Sequence, residues 1–183
     1  MDATQRLVDE LRTHALIIGE VVLTSGRTAQ YYVDAKRAIL RPAGFAALGE
    51  IVAANAREWG ATAVGGMTMG ADPVACAALA GGFDGKAFFV RKDAKGHGLQ
   101  RQIEGPPLEA HDRCVIVEDV VTTGGSTIAA IEAVRAAGHE IVGVVSVLDR
   151  LAGGAEAIAA AAGAPYVACA TIDDVYPDRP DHP

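Results

Sequence analysis

The sequence predicts an α/β domain whose central, mostly parallel sheet is flanked by helices. Three observations lead there. The runs "AFFVRK", "RCVIVEDVV" and "EIVGVVSVLDR" are nearly continuous in apolar residues, as strands covered on both faces require. Strand-like runs alternate with helix-like ones from Ala61 onward. Every glycine-rich or charged stretch of chemical interest follows a strand, where open parallel sheets gather their ligands.

Taken in order, Thr4 to His14 reads as a first, amphipathic helix. "GEVVLTSGRTAQYYVDAKRAIL" alternates and turns at Ser25-Gly26, giving a short hairpin or extended segment. A second helix over Ala43 to Trp59 starts after Pro42 and stops before Gly60. "TAVGGM" is the first core strand, and "DPVACAALAGG" is a helix that Asp72 can cap, with Pro73 in its first turn. "AFFVRK" follows, then a long polar loop. "RCVIVEDVV" precedes the helix "STIAAIEAVRAAG", "EIVGVVSVLDR" precedes "GAEAIAAAAGA", and "PYVACATI" is the last strand. Residues 1–42 thus form an N-terminal helix and small hood, 43–172 the core, and 173–183 a tail, "YPDRPDHP" reading as lightly packed.

The 183 residues suit a single domain, half of them hydrophobic and 21% charged. No apolar run reaches the ~18 residues that span a membrane. The start "MDATQRLVDELRTHALI" lacks the basic end and apolar centre of a signal peptide, so a cytoplasmic location is expected. A net charge of −7 disfavours nucleic acid or an anionic membrane as partner. Cys76, Cys114 and Cys169 have no metal-ligand or disulfide spacing and read as small buried hydrophobes. Met67 and Met69 read as core-facing.

The run "VIVEDVVTTGGST" carries the strongest chemical signal. A buried strand ends in two carboxylates, Glu118 and Asp119, then Val120 and Val121. Thr122, Thr123, Gly124, Gly125, Ser126 and Thr127 then offer backbone N–H groups, hydroxyls and a helix N-terminus, which together suit a phosphate. The spacing is neither that of a nucleotide triphosphatase loop nor G-x-G-x-x-G. Carboxylates one step back from a bound 5-phosphate can accept hydrogen bonds from ribose hydroxyls and stabilise positive charge on the sugar.

This run resembles the phosphoribosyl pyrophosphate (PRPP) signature of the type I phosphoribosyltransferases. The resemblance implies that fold, with a hood and a mobile catalytic loop. It also implies that Glu118 and Asp119 hold the ribose hydroxyls while Thr122 to Ser126 hold the 5-phosphate. "VRKDAKGHGLQRQIEGP" carries Arg91, Lys92, Lys95, His97 and Arg101; from Asp84 to Glu104 five Lys or Arg stand against three acids. Its R-K-x-x-K-x-H-G pattern, at Arg91, Lys92, Lys95, His97 and Gly98, is similar to the catalytic loop of the orotate phosphoribosyltransferases. In that family the loop binds PRPP and closes over the leaving pyrophosphate of a neighbouring subunit, which implies a homodimer.

By the same resemblance Tyr31 and Tyr32 lie by the orotate ring, Arg150 binds its carboxylate as a planar bidentate donor, and Thr122 adds a hydrogen bond. "GGMTMGADPVA" looks like the family's pyrophosphate-binding turn. The chain departs from the family at Thr24 and Met69, where a lysine is frequent; Arg27 or Lys36 can stand in for the first. Lys95 and His97 would neutralise or protonate the leaving group, with Glu118 and Asp119 as the other catalytic pair. Mg2+ would be held mainly through PRPP and water, with no dedicated protein ligands. The expected reaction joins orotate and PRPP into orotidine 5′-monophosphate and pyrophosphate. Transfer to another base, or a regulatory protein that binds PRPP, are the alternatives.

Overall fold

The computed structural model describes residues 1–22, 26, 28–92 and 102–181. Helix α1 (Ala3–Glu10) is capped by the Asp2 carboxylate, which accepts from the Gln5 N–H, and runs into a wider π-helical turn at Leu11–Ala15. Strands β1 (Leu16–Val22) and β2 (Thr28–Val33) pair antiparallel into the hood, so the hairpin alternative holds. A single turn, α2 (Lys36–Ile39), leads to α3 (Pro42–Glu58), which opens on Pro42.

The core follows as β3 (Ala63–Met67), α4 (Asp72–Ala80), β4 (Lys86–Val90), β5 (Ile103–Glu104), β6 (Arg113–Val121) and α5 (Gly125–Ala136). After these come β7 (Glu140–Asp149), α6 (Gly154–Ala162), β8 (Tyr166–Thr171) and a last turn, α7 (Ile172–Val175). Among the described residues the main sheet has six strands in the order β5-β4-β3-β6-β7-β8. All neighbours are parallel except the antiparallel edge strand β5.

Strand β6 shows why its sequence is unbroken in apolar residues. Val115 and Val117 join the cluster that packs under α1, α3 and α4. Cys114 and Ile116 point the other way, among Ala130, Ile131, Val134 and Ile158 of α5 and α6. All four are fully buried, and burying an aliphatic side chain such as Val115, Ile116 or Val117 is worth about 1.5–3 kcal/mol. At the opposite end of the sheet Asp112 is 2% exposed. It accepts from Lys86 Nζ at 2.7 Å, Thr62 Oγ1 at 2.7 Å and the Glu109 N–H at 2.6 Å. Burial pushes its pKa up, but these partners hold it down to about 2, so the charge is kept as a clamp between β3, β4 and β6.

Four sequence expectations are corrected. Asp72 is the first residue of α4 rather than its cap; its carboxylate turns back to accept from Thr68 Oγ1 at 2.6 Å. Cys76 is exposed, because with Leu79 and Ala80 it falls on the outward face of α4; Cys114 and Cys169 are buried as expected. Met69 is 73% exposed, while Met67 is buried. The tail is packed through Asp181, since Tyr176 and Arg179 dock on the hood and on α7.

Candidate active site

The carboxyl ends of β3, β4, β6 and β7 bring the candidate residues together. Val120 and Val121 end β6 in register with Leu148 and Asp149 of β7. Beyond them Thr122 and Thr123 turn outward into solvent, and Gly124 takes a left-handed conformation (φ 82°) to start α5. A side chain at Gly124 would also strike Ile158, 2.8 Å from the new Cβ. At Gly125, by contrast, a Cβ would meet nothing within 4 Å. The N-terminus of α5 is therefore open where an anion could sit against its backbone N–H groups.

Glu118 and Asp119 play different geometric parts. Glu118 is 4% exposed, and its Oε2 accepts from Ser126 Oγ at 2.5 Å and Thr127 Oγ1 at 3.2 Å. It thereby ties the end of β6 to the first turn of α5. Burial, reinforced by the neighbouring Asp119 charge, outweighs the Ser126 hydrogen bond and raises its pKa to about 7. Asp119 faces Lys36, whose Nζ lies 3.0 Å from Asp119 Oδ2 and 3.1 Å from Asp34 Oδ1. Burial lowers the Lys36 pKa, but the two carboxylates more than reverse this and raise it. The turn after β3 presses on the same group: a Cβ at Gly70 would lie 2.4 Å from Asp119 Oδ1, so a side chain there would have to displace that carboxylate.

Lys36, Thr68, Met69, Lys92, Asp119 and Ser126 border a cleft of about 260 Å³, which Glu118 also reaches. Arg91 and Lys92 follow β4. The Gln102 amide donates to both their carbonyls, at 2.9 and 3.3 Å, and Arg91 pairs with Glu104 at 3.5 Å. The two limbs that bracket residues 93–101 are thus tied at their base. Lys95, His97, Arg101, Thr24 and Arg27 lie outside the described residues. A larger hollow of about 460 Å³, bordered by Ile103, Pro107, Leu108, Ala133 and His139, holds none of the candidate residues.

On the other flank, the Arg150 N–H donates to the Val121 carbonyl at 2.9 Å, which sets this arginine beside the start of the phosphate-type loop. Leu151 then takes a positive φ of 55°, a conformation branched-chain residues adopt rarely. The Arg150 guanidinium lies 5.2 Å from the centre of the Tyr31 ring and donates to its hydroxyl at 3.1 Å. Tyr31 is buried and Tyr32 is 37% exposed, because successive residues of β2 point to opposite sides. Of the two, Tyr31 is the one that bonds Arg150.

Sequence reasoning missed Thr127 as a partner of Glu118, and the set Tyr176, Arg179 and Asp181 behind Tyr31. It considered Lys36 only as a substitute, and the structure puts it against Asp119. A hydroxyl one turn into a helix and a polar tail carry no pattern that marks them in one sequence.

The chain is similar to known proteins over most of its length. The family described as phosphoribosyl transferase domain matches residues 37–162. The chain is 44% identical over 176 residues to an orotate phosphoribosyltransferase of Corynebacterium glutamicum (strain R), covering 96% of this chain and 95% of the relative. The crystal structure of Mycobacterium tuberculosis H37Rv orotate phosphoribosyltransferase in complex with Fe(III) dicitrate is 42% identical, with a TM-score of 0.85, covering 94% of this chain and 98% of that one. The structure of the same M. tuberculosis protein in complex with PRPP gives a TM-score of 0.81 at 37% identity, with the same coverage. The chain belongs to the phosphoribosyl transferase domain family, type I in fold, and within it to the orotate phosphoribosyltransferases.

Proposed function

We propose that the protein transfers the 5-phosphoribosyl group of PRPP to orotate, giving orotidine 5′-monophosphate and pyrophosphate in pyrimidine nucleotide synthesis. The observation that carries this reading is the junction at the end of β6. There an acid pair and an open helix N-terminus meet Arg150, which its N–H bond to the Val121 carbonyl brings in from the end of β7.

In this reading the 5-phosphate occupies the Thr122–Ser126 turn, held by backbone N–H groups and the α5 dipole. The ribose hydroxyls donate to Asp119 and Glu118. Arg150 pairs with the orotate carboxylate with Tyr31 held against its guanidinium, and Thr122 adds a hydrogen bond; Tyr32, on the other side of β2, enters the reading through the family resemblance alone. Arg91 and Lys92, with Lys95 and His97, gather at the pyrophosphate. Exclusion of water strengthens each of these pairings, from ~1 kcal/mol in bulk water toward ~4 kcal/mol at an effective dielectric of 20. As the anomeric carbon loses pyrophosphate, Asp119 and Glu118 offset the positive charge growing on the sugar, and a ring nitrogen of orotate attacks. Lys95 and His97 neutralise or protonate the leaving group.

Mg2+ fits this site as an ion carried on the donor. Glu118 and Asp119 are hard oxygen ligands, but Val120 N–H and Lys36 engage the Asp119 oxygens and the two hydroxyls engage Glu118. PRPP and water would therefore supply most of its coordination. When bound, the ion supplies charge that eases pyrophosphate departure. A homodimer that lends each 93–101 segment to its neighbour's site completes the proposal, supported by the family resemblance of that segment.

Following orotate loss with PRPP and Mg2+ tests the reading. Consumption that saturates in both substrates, stops with a chelator and is not inhibited by adenine is expected. Absence of orotate consumption, or turnover of adenine instead, would overturn it.

A further inference from the structure

We propose, on the footing of the orotate reading above, that the C-terminal segment Tyr176–Asp181 is a positioning element for the acceptor side of the site, acting through Tyr31 on Arg150. The Tyr31 hydroxyl stands between two charges. It donates to Asp181 Oδ2 at 3.1 Å and accepts from Arg150 Nη2 at 3.1 Å. A phenol has one proton, and its direction is set by whichever acceptor is in reach. With Asp181 taking that proton, the oxygen lone pairs are left facing the guanidinium, and the carboxylate polarises the oxygen into a better acceptor. Remove Asp181, and the hydroxyl proton is free to rotate toward Arg150, a group that can only donate.

The ring of Tyr31 is fixed from the same side. Tyr176 meets it edge-on, with centroids 5.4 Å apart and planes at 85°, and Arg150 covers its face. Asp181 is itself held in place. Arg179, with a side chain only 6% exposed, pairs through Nε with Asp181 Oδ1 at 3.2 Å and through Nη1 with Asp173 of α7. The start of α7 is secured in turn by a reciprocal cap between Thr171 and Asp174. A nearly buried arginine between two carboxylates is a built joint, and its far end is the residue that orients Tyr31. Arg150 therefore meets an incoming carboxylate with its direction already set, which lowers the ordering cost of binding.

The test is steady-state kinetics of the full chain on Asp181→Ala, Tyr31→Phe and the double variant. Asp181→Ala is expected to raise KM for orotate roughly threefold to tenfold, the loss of one net hydrogen bond. KM for PRPP and kcat should stay at wild-type values, because the contacts of Asp181 are with Tyr31 and Arg179 on the acceptor side, and Tm should fall little, because the Asp181 side chain is 60% exposed. In the Tyr31→Phe background, Asp181→Ala should change KM for orotate less than about twofold, since the hydroxyl that links them is gone. An unchanged KM for orotate in Asp181→Ala, a parallel rise in KM for PRPP, or a full further loss in the Tyr31→Phe background would each overturn the proposal. Lack of orotate turnover by the wild-type protein would instead sink the functional reading, and this inference with it.

Discussion

Replacing Gly125 by alanine separates the ligand from the fold, because the two adjacent glycines of the α5 turn are there for different reasons. At Gly124 the backbone is left-handed and a Cβ would press on Ile158, so Gly124→Ala is expected to destabilise the protein by about 1–3 kcal/mol. At Gly125 a new Cβ would touch nothing within 4 Å, and the residue is already helical. Gly125→Ala should then stabilise the fold by about 0.4–1 kcal/mol, through the unfolded chain, and raise Tm by about 1–4 °C. If the PRPP phosphate nests against this backbone, however, the methyl group occupies the space it needs. Losing one or two charge-assisted hydrogen bonds, at ~1.5–3 kcal/mol each, predicts a KM for PRPP raised roughly tenfold to hundredfold or more. The assay is a thermal melt paired with PRPP saturation kinetics. A raised Tm with unchanged KM for PRPP would refute the placement of the phosphate at this turn.

Three further outcomes follow from the same site. Glu118, raised to about 7 from 4.5, binds its proton more tightly in the fold than in the unfolded chain. Its contribution to stability is full below the unfolded value and is lost as pH rises through about 7, at most about 3 kcal/mol in all. Glu118→Gln should flatten that fall in urea midpoints between about pH 5 and about pH 8, and an equal fall in both proteins would contradict the assignment. Lys36→Met should cost no more than about 1 kcal/mol of stability, since the lysine is a third exposed, yet raise KM for PRPP roughly threefold to tenfold at low salt and less at high salt. A KM independent of both the substitution and salt would exclude Lys36 from the donor site. Arg150→Lys should raise KM for orotate roughly tenfold or more by losing the planar fork, while leaving KM for PRPP alone; equal changes in both would argue against a carboxylate contact.

The parallel core was legible because burial on both faces leaves an unmistakable mark. Strand β6 alternates Val115 and Val117 with Cys114 and Ile116 between two clusters, and no polar residue interrupts it until Glu118. The site was legible for a related reason: acids and glycines at the end of such a strand contradict its own pattern. What escaped was set by contacts distant in sequence or by very short elements. Edge strand β5 has two residues, too few for any period to show. The exposure of Met69 depends on how the turn after β3 folds against Asp119, and apolar character alone pointed inward. The tail reads as polar and loose, yet Arg179 finds Asp173 and Asp181, and Tyr176 finds Tyr31, 145 positions earlier in the chain. No local rule encodes such pairings.

The most direct measurement is calorimetric titration of PRPP with Mg2+ into the wild-type protein and into Asp119→Asn. A sugar phosphate seated at the end of β6 predicts saturable binding of about one donor per chain, weakened roughly tenfold or more by the loss of the carboxylate charge beside the ribose. No saturable binding by the wild type, or equal affinity in the two proteins, would contradict it.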